Sequence, residues 1–329
     1  MTNVKLPRRK FLHLAAGAVV LPVAPRIARA QAYPTRPVRL IVGFPPGGSA
    51  DVIARIIGQW LSERLGQPVI VESRPGAGTN IATEAVVRAS ADGYTLLLVN
   101  TANAINASLY DRLSFVFLRD AASVSGISQE PLVMEVNPSV PAKTVPEFVA
   151  YAKANPGKIS FASSGIGGSP HLSGELFKVM AGVNMVHVPY RGGAPALTDL
   201  LSGQVQLLFG TITTSHEHIR AGRVRALAVT TAIRSEALPN IPALAEFLPG
   251  YEASNWYGIG APRGTPTVII ERLNKEINNA LADPKIKARF ADLGFSVFEG
   301  SPSDFAKLIA DETEKWRKVI CAANITPAC

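Results

Sequence analysis

Two glycine-rich turns carry the residues of this chain best suited to hold a small molecule, FPPGGSAD (44–51) and SSGIGGSPH (163–171). In each, an apolar run ends, glycines follow and an amphipathic run begins, which is the order strand, loop, helix. Gly47 and Gly48 in the first turn, and Gly165 and Gly168 in the second, let the backbone come close to a ligand. The helix that follows offers unpaired N–H groups and the positive end of its dipole, so a carboxylate or phosphate is the natural guest. Ser49 in the first turn and Ser163, Ser164 and Ser169 in the second add hydroxyls. Asp51 opposes an anion unless its carboxylate turns aside into a cap. A tight strand-to-helix turn needs glycines too, with or without a ligand. The recurrence of the same pattern in the second half of the chain shifts the reading toward two loops that hold the two ends of a dicarboxylate. Thr101 and Asn103 after LLLVN, Tyr190 and Arg191 in VPYRGG, and Thr211 after LLFG stand at other strand ends, where open α/β sheets bind their ligands.

Other chemistries lack their signatures. There is no G-x-x-x-x-G-K-[ST], so no lysine reaches terminal phosphates, and no G-x-S-x-G nucleophile elbow. GIGGSP has a serine and a proline where a dinucleotide fingerprint needs its last residues. His171 and Asp199 could pair as base and acid, and Glu72 and Glu84 are further carboxylates, but spacing joins none of them to a nucleophile. Asp199 in LTDLL reads as a solvent-facing or local cap. His216 and His218, two apart in a polar turn, do not share a helix face, so no metal site is expected, and no cofactor. Cys321 and Cys329 can close only a short C-terminal loop.

The elements that must position these turns are legible as alternating apolar and amphipathic runs. VRLIVGF (38–44) reads as a strand buried on both faces. The helix after it carries Val52, Ile53, Ile56, Ile57, Trp60, Leu61 and Leu65 on one stripe ending at Gly66. PVIVES (68–73), a helix from about Ile81 to Ala89, and YTLLLV (94–99) complete a βαβαβ unit with a parallel sheet. A second unit runs from PLVMEVN (131–137) through a helix opened by a Thr144/Glu147 capping box, then KISFASS (158–164), a helix opened by Ser169-Pro170, and MVHVPY (185–190). A helix at Pro195–Ser202 and the strands VQLLFGT (205–211) and VRALAVTT (224–231) finish it. Thr265-Pro266 and Ser301-Pro302 with Asp304 open C-terminal helices, the last with the stripe Phe305, Leu308, Ile309, Trp316.

The chain has 329 residues, 47% hydrophobic and 18% charged, enough for one large or two medium globular lobes. Its net charge of +8 would suggest nucleic acid, but residues 1–30 hold six basic side chains and no acid, which leaves +2 for residues 31–329. Those first residues read as an export leader. Arg8-Arg9 precedes the apolar stretch 11–24, and Ala28 and Ala30 flank Arg29 in the pattern a signal peptidase cuts. The paired arginines point to the twin-arginine route, while Pro7 and His13 leave the ordinary secretory route open. The apolar stretch is shorter than the roughly 20 residues of a membrane span.

Taken together, YPTRPVRLIVGFPPGGSAD (33–51), VESRPGAGTNIATE (71–84), ADGYTLLLV (91–99), SSGIGGSPHLSGELF (163–177), VPYRGGAPALTDLLSGQVQLLF (188–209) and GRVRALAVTT (222–231) resemble the Bug-type receptors of tripartite tricarboxylate transporters. The resemblance spans the chain after its leader. It implies a two-lobed α/β periplasmic binding protein of the Venus flytrap, type II-like kind, with mainly parallel sheets and a ligand cleft between the lobes. Lobe 1 is expected over residues 33–128 plus about 258–329, and lobe 2 over 129–257. The resemblance implies a periplasmic monomer, not an enzyme, that captures a di- or tricarboxylate, an acidic amino acid or an aromatic acid and hands it to a membrane permease. By matching position it assigns ligand contacts to Phe44, Gly47, Gly48 and Ser49, and to Ser163, Ser164, Gly165 and Gly168. Thr101, Asn103, His171 and Tyr190 fall where the cleft is usually lined. Thr79 stands where a glycine is common, and FLRDAASVSGIS (117–128) lacks the usual acidic lead into the hinge. A sensor module that presents its ligand to a receptor kinase, and a periplasmic enzyme acting on a carboxylate, are the alternatives.

Overall fold

A computed structural model describes residues 33–110, 112–323 and 325, so the expected leader and Cys329 lie outside the described residues. From Pro34 onward the chain forms one compact unit. Its elements are β1 (Val38–Val42), α1 (Ser49–Leu65), β2 (Val69–Ser73), α2 (Asn80–Val87), β3 (Thr95–Asn100), α3 (Thr101–Leu109), α4 (Phe117–Asp120), β4 (Ala121–Val136), α5 (Val145–Ala154), β5 (Ser160–Ser163) and α6 (Ser169–Ala181). They continue with β6 (Val186–Pro189), α7 (Gly193–Ser202), β7 (Leu207–Thr211), α8 (Ile212–Arg220), β8 (Arg225–Val229), β9 (Ser254–Pro262), α9 (Thr267–Ala282), α10 (Pro284–Asp292), β10 (Ser296–Val297) and α11 (Pro302–Ala322). Among the described residues no helix is long and apolar enough to cross a membrane.

The first half-sheet is parallel at its centre, with β1 between β2 and β3. β1 earns that place because Val38, Leu40, Ile41 and Val42 are wholly buried and need covering on both faces. The second repeats the arrangement, with β5 between β6 and β7. β4 joins them as a strand shared by both. Ala121 to Pro131 pair antiparallel with β9, and from Leu132 onward the same strand pairs with β7 and β8. The partner change falls at Pro131, which has no N–H to give a ladder. At Leu132 the N–H turns instead to Thr230 Oγ1, at 2.9 Å, while its carbonyl accepts from the Thr230 N–H, also at 2.9 Å.

β4 extends ten residues before the strand expected at 131–137, a stretch without a sequence signal because AASVSGISQE has only two β-branched residues, Val124 and Ile127, set three apart and not alternating. Pairing, not propensity, makes it a strand: Ser125 and Ser128 are fully buried there, and Gly126 leaves no room for a Cβ against the Phe298 ring. Two local expectations also change. His216 and His218 lie in α8, not in a turn. Thr144 caps α5 by accepting from the Glu147 N–H, but the Glu147 carboxylate reaches back to the N–H of Lys143, so the box does not close on Thr144 itself.

The final helix is common to both halves. Phe305 and Ile309 of α11 pack with Ile41, Leu97, Val99 and Trp256, whereas Trp316 and Ile320 pack with Phe148, Phe161, Phe177 and Phe209. Glu312 between them accepts from both indoles, Trp256 Nε1 at 3.1 Å and Trp316 Nε1 at 2.8 Å, and from Lys315. Cys321, near the end of this helix, is disulfide-bonded.

One buried acid stands out in the second half. Glu135 on β4 is fully buried, its Oε1 accepts from Ser215 Oγ at 2.6 Å, and its Oε2 has no partner. Burial pushes its carboxyl up to about 8, so the folded state holds a proton that the unfolded chain releases near 4.5. The stabilisation is complete below 4.5 and is lost as pH rises through 8. Glu135→Gln is expected to flatten the fall in melting temperature between pH 5 and 8.5 and to gain roughly 1–3 kcal/mol at the alkaline end, read by calorimetry at each pH. An unchanged slope would place the proton elsewhere.

Candidate functional site

Five helices begin at one cavity. Their N-cap residues, Gly48 for α1, Asn100 for α3, Gly168 for α6, Gly192 for α7 and Thr211 for α8, all line a space of about 220 Å³. The common cause is topological: each helix follows a strand of a half-sheet, and the carboxyl ends of those strands face the same cleft. Only α3 is fully capped from within. The Asn100 side chain accepts from Ala102 N–H and its own N–H goes to Asn103 Oδ1, both at 2.9 Å. The N-cap residues of α1, α6, α7 and α8 give no side-chain cap, so the dipole ends of these helices face the cavity, although in α8 the Thr213 N–H is already given to Glu130 Oε1 at 3.4 Å.

The walls are apolar: Phe44, Pro45 and Pro46 on the α1 side, Pro170, Ala194 and Pro195 on the side of α6 and α7. Arg191 is the one charged side chain among the described residues lining the space. Asp51 does not oppose an anion there, because its carboxylate turns back into the loop, accepting from Gly47 N–H at 3.1 Å and from Arg55 Nε at 3.0 Å. The result is a space with positive dipole ends, one cation and apolar sides.

The floor is a hydrogen-bonded cluster that crosses from one half-sheet to the other. Asn255 on β9 lines the cavity, accepts at Oδ1 from Ser169 Oγ at 2.9 Å and from Thr101 Oγ1 at 3.2 Å, and donates to the Tyr257 hydroxyl. Ser49 gives its hydroxyl to buried Glu130 at 3.1 Å, and Thr213 of α8 gives its own to the same oxygen at 2.8 Å. The second loop reaches the first half of the molecule directly. A Cβ at Gly167, where φ is +81°, would lie 2.6 Å from Leu109 Cδ2 and 2.9 Å from Asn106 Oδ1, so only glycine permits the approach.

Of the residues singled out from sequence, Phe44, Gly47, Gly48, Ser49, Ser164, Gly168, Ser169, Arg191 and Thr211 line the cavity. The others stand one layer behind. Thr101 accepts from Trp256 N–H and holds Asn255, and Asn103 caps α3 and donates to Thr83 Oγ1 at 2.7 Å. Ser163, fully buried, exchanges hydrogen bonds with Gly165 and sits 2.7 Å from His187 Nε2. His171 accepts from Gly167 N–H and stacks on His187 with ring centres 4.0 Å apart. Burial first, then His187 and Lys178, pull His171 down to about 3, so this pair braces the second loop as neutral rings. Tyr190 donates to Asp199 at 2.6 Å, which gives that acid a local partner. The third glycine turn, Arg191-Gly192-Gly193, whose sequence signal is only its place at a strand end, forms part of the wall. Asn255 and Tyr257 had no signal, since a polar residue inside an apolar run reads as core. Among the described residues no cluster of His, Cys, Asp or Glu has the makings of a metal site.

A cleft at the carboxyl ends of two α/β half-sheets, bridged by crossing strands and lined by uncapped helix starts, defines a two-lobed solute-binding receptor. The chain belongs to the receptor family of tripartite tricarboxylate transporters, which it matches over residues 53–325. It is 38% identical to protein BugT of Bordetella pertussis over 312 residues, 94% of either chain. Among solved structures, Rpa4515 of Rhodopseudomonas palustris with adipate is similar at a TM-score of 0.85 and 37% identity, covering 89% of this chain and 98% of that one. MatC of the same organism, with bound malate, superposes with a TM-score of 0.82 at 30% identity, covering 88% of this chain and all of that one.

Gly48 tests the loop without disturbing the fold. Its φ of −94° suits any residue, and a Cβ built on it meets no protein atom within 4 Å. Gly48→Val is expected to weaken anion binding at least about tenfold while changing unfolding free energy by less than about 0.5 kcal/mol. Titration calorimetry and denaturant unfolding on the same preparation separate the two effects.

Proposed function

We propose that this protein captures a small organic dicarboxylate in the periplasm and presents it to the membrane permease of a tripartite transporter. The observation that carries the reading is the convergence of four uncapped helix N-termini on one apolar-walled space. Dipole ends and backbone N–H groups hold a carboxylate at each side of the cleft, and the proline and phenylalanine walls take the hydrocarbon between them. The adipate and malate held by its relatives are compounds of this kind. An ammonium group finds no carboxylate among the described side chains lining the space, so acidic amino acids rank below plain dicarboxylates, and Arg191 favours a second negative charge over a neutral tail.

Capture follows from differential affinity. The loops at 44–51 and 163–171 belong to different half-sheets, and a ligand that bridges them binds the closed arrangement better than an open one, which shifts the population toward the form a permease reads. Residues 1–30 serve as the export leader in this reading, and the receptor works as a monomer. In this reading the protein is a receptor and not an enzyme, and the ligand leaves unchanged.

A thermal-shift panel of adipate, malate, succinate, citrate, glutamate and benzoate on the chain lacking residues 1–30 tests the class. Adipate or another dicarboxylate is expected to raise the melting temperature by several degrees, in line with about 2.7 kcal/mol at a hundredfold excess over Kd. A panel in which every carboxylate is silent while a neutral or cationic solute stabilises would overturn it.

A further inference from the structure

Glu130 lies beneath the cavity at the point where the two half-sheets part. It is the last residue but one of β4 to pair with β9, opposite Asn255, and it is fully buried. Its Oε1 accepts from Ser49 Oγ at 3.1 Å, from Thr213 Oγ1 at 2.8 Å and from the Thr213 N–H at 3.4 Å, while Oε2 has no partner. The two donors come from the first turns of α1 and α8, helices whose N-caps line the cavity on opposite half-sheets. One serine side chain therefore separates this carboxyl from the seat of an anion at α1.

Among the described residues no cation pairs with it. From β9 it faces Asn255 and the Tyr257 phenol, which burial and Glu130 itself keep protonated. From α8 it faces Thr213, whose hydroxyl also reaches the Leu293 carbonyl at the end of α10. The other acid of the first turn of α1 is Asp51, turned to Gly47 N–H and Arg55. A dry carboxylate with one oxygen unpaired and no counter-ion is costly, and a second negative charge nearby makes it more so. In its neutral form the carboxylic acid can donate to Ser49 Oγ, which frees the serine proton to turn toward the cavity.

We propose that Glu130 couples ligand capture to proton uptake: the organic anion binds the form in which Glu130 is neutral, and capture draws a proton from solvent onto that carboxyl. This rests on the anion reading above. Burial raises Glu130, the hydrogen bonds from Thr213, Ser49 and Asn255 oppose it, and the carboxyl is left at about 7 before any ligand arrives, so the coupling falls in the neutral range. His171 and His187, at about 3 and about 4, titrate well below it.

The test uses the dicarboxylate that shifts the melting temperature most in the panel, adipate if several do so equally. Its Kd is measured by calorimetry from pH 6.5 to 9, above its own titration, in phosphate and in Tris, whose ionisation enthalpies differ. For the unmodified chain Kd is expected to rise with pH above 7, by up to about tenfold per unit, with proton uptake approaching one per ligand. Glu130→Gln should abolish both the slope and the proton uptake. Thr213→Val, which removes a donor that favours the charged form, should move the onset to higher pH, an effect that a purely structural threonine would not produce. A flat Kd with no proton uptake, or a slope that survives in Glu130→Gln, overturns the proposal. Should that variant fail to fold, the proton count on the unmodified chain and the Thr213→Val shift decide. Binding without pH dependence removes the coupling alone, whereas silence of the whole dicarboxylate panel removes the reading of function and this proposal with it.

Discussion

The register of β4 against β9 is the constraint on which the site depends. These two strands run antiparallel from Ala121 opposite Pro262 to Pro131 opposite Ser254, and they are the backbone common to both half-sheets. That register sets Glu130 opposite Asn255 and so gathers under one cavity a carboxyl that receives donors from α1 and α8 and an amide that receives donors from α3 and α6. Slipping the pair by one residue would turn both side chains to the opposite face and take these acceptors from the hydroxyls of Ser49, Thr101 and Ser169. The bulges near Val124 and Ile127 absorb the twist that lets so long a strand serve two sheets.

In the proposed reading the recognition element is made of backbone, and this has consequences for specificity. Helix starts supply fixed partial charges that need no side-chain ordering when a ligand arrives, and the same geometry serves any carboxylate presented at the right separation. Discrimination then rests on the distance between the two glycine loops, the bulk of the proline walls, and side chains such as Arg191 and Asn255. A site of this kind keeps its ligand class while changing its ligand. The family match and the relatives with adipate and malate fit that division, since they share the fold while holding diacids of different length.

Much of the frame was legible in the sequence, for reasons that differ by element. β1 announces itself as VRLIV because a strand buried on both faces needs continuous apolar bulk, and α6 and α11 announce themselves through Ser-Pro starts. The glycine turns were legible because close backbone approach leaves a residue-type signature. The first half of β4 was not, since serines and glycine become strand only by pairing with a segment some 130 residues away. The same non-locality hid Asn255 and Tyr257, and it separated cavity-lining Ser164 from Ser163, whose hydroxyl is spent on Gly165 and His187. Sequence spacing identifies a turn, but which of two adjacent serines faces the ligand is decided by packing on the far side of the sheet.

Burying Glu130 rather than an apolar residue at the crossing has a physical rationale. An apolar side chain there would leave the Ser49 hydroxyl at the cavity wall without its acceptor, and it would remove the shared acceptor that brings the first turns of α1 and α8 together. A permanently charged carboxylate would hold them more firmly but would repel the anion those turns are shaped to receive. A carboxyl buried without a cation avoids both outcomes, because its charge is weakened by the same dryness that strengthens its hydrogen bonds. The arrangement also leaves Oε2 without a partner, so this carboxyl holds the two helix starts through one oxygen only and its own release costs little. That is what a cleft must allow if it is to open again and let its ligand go.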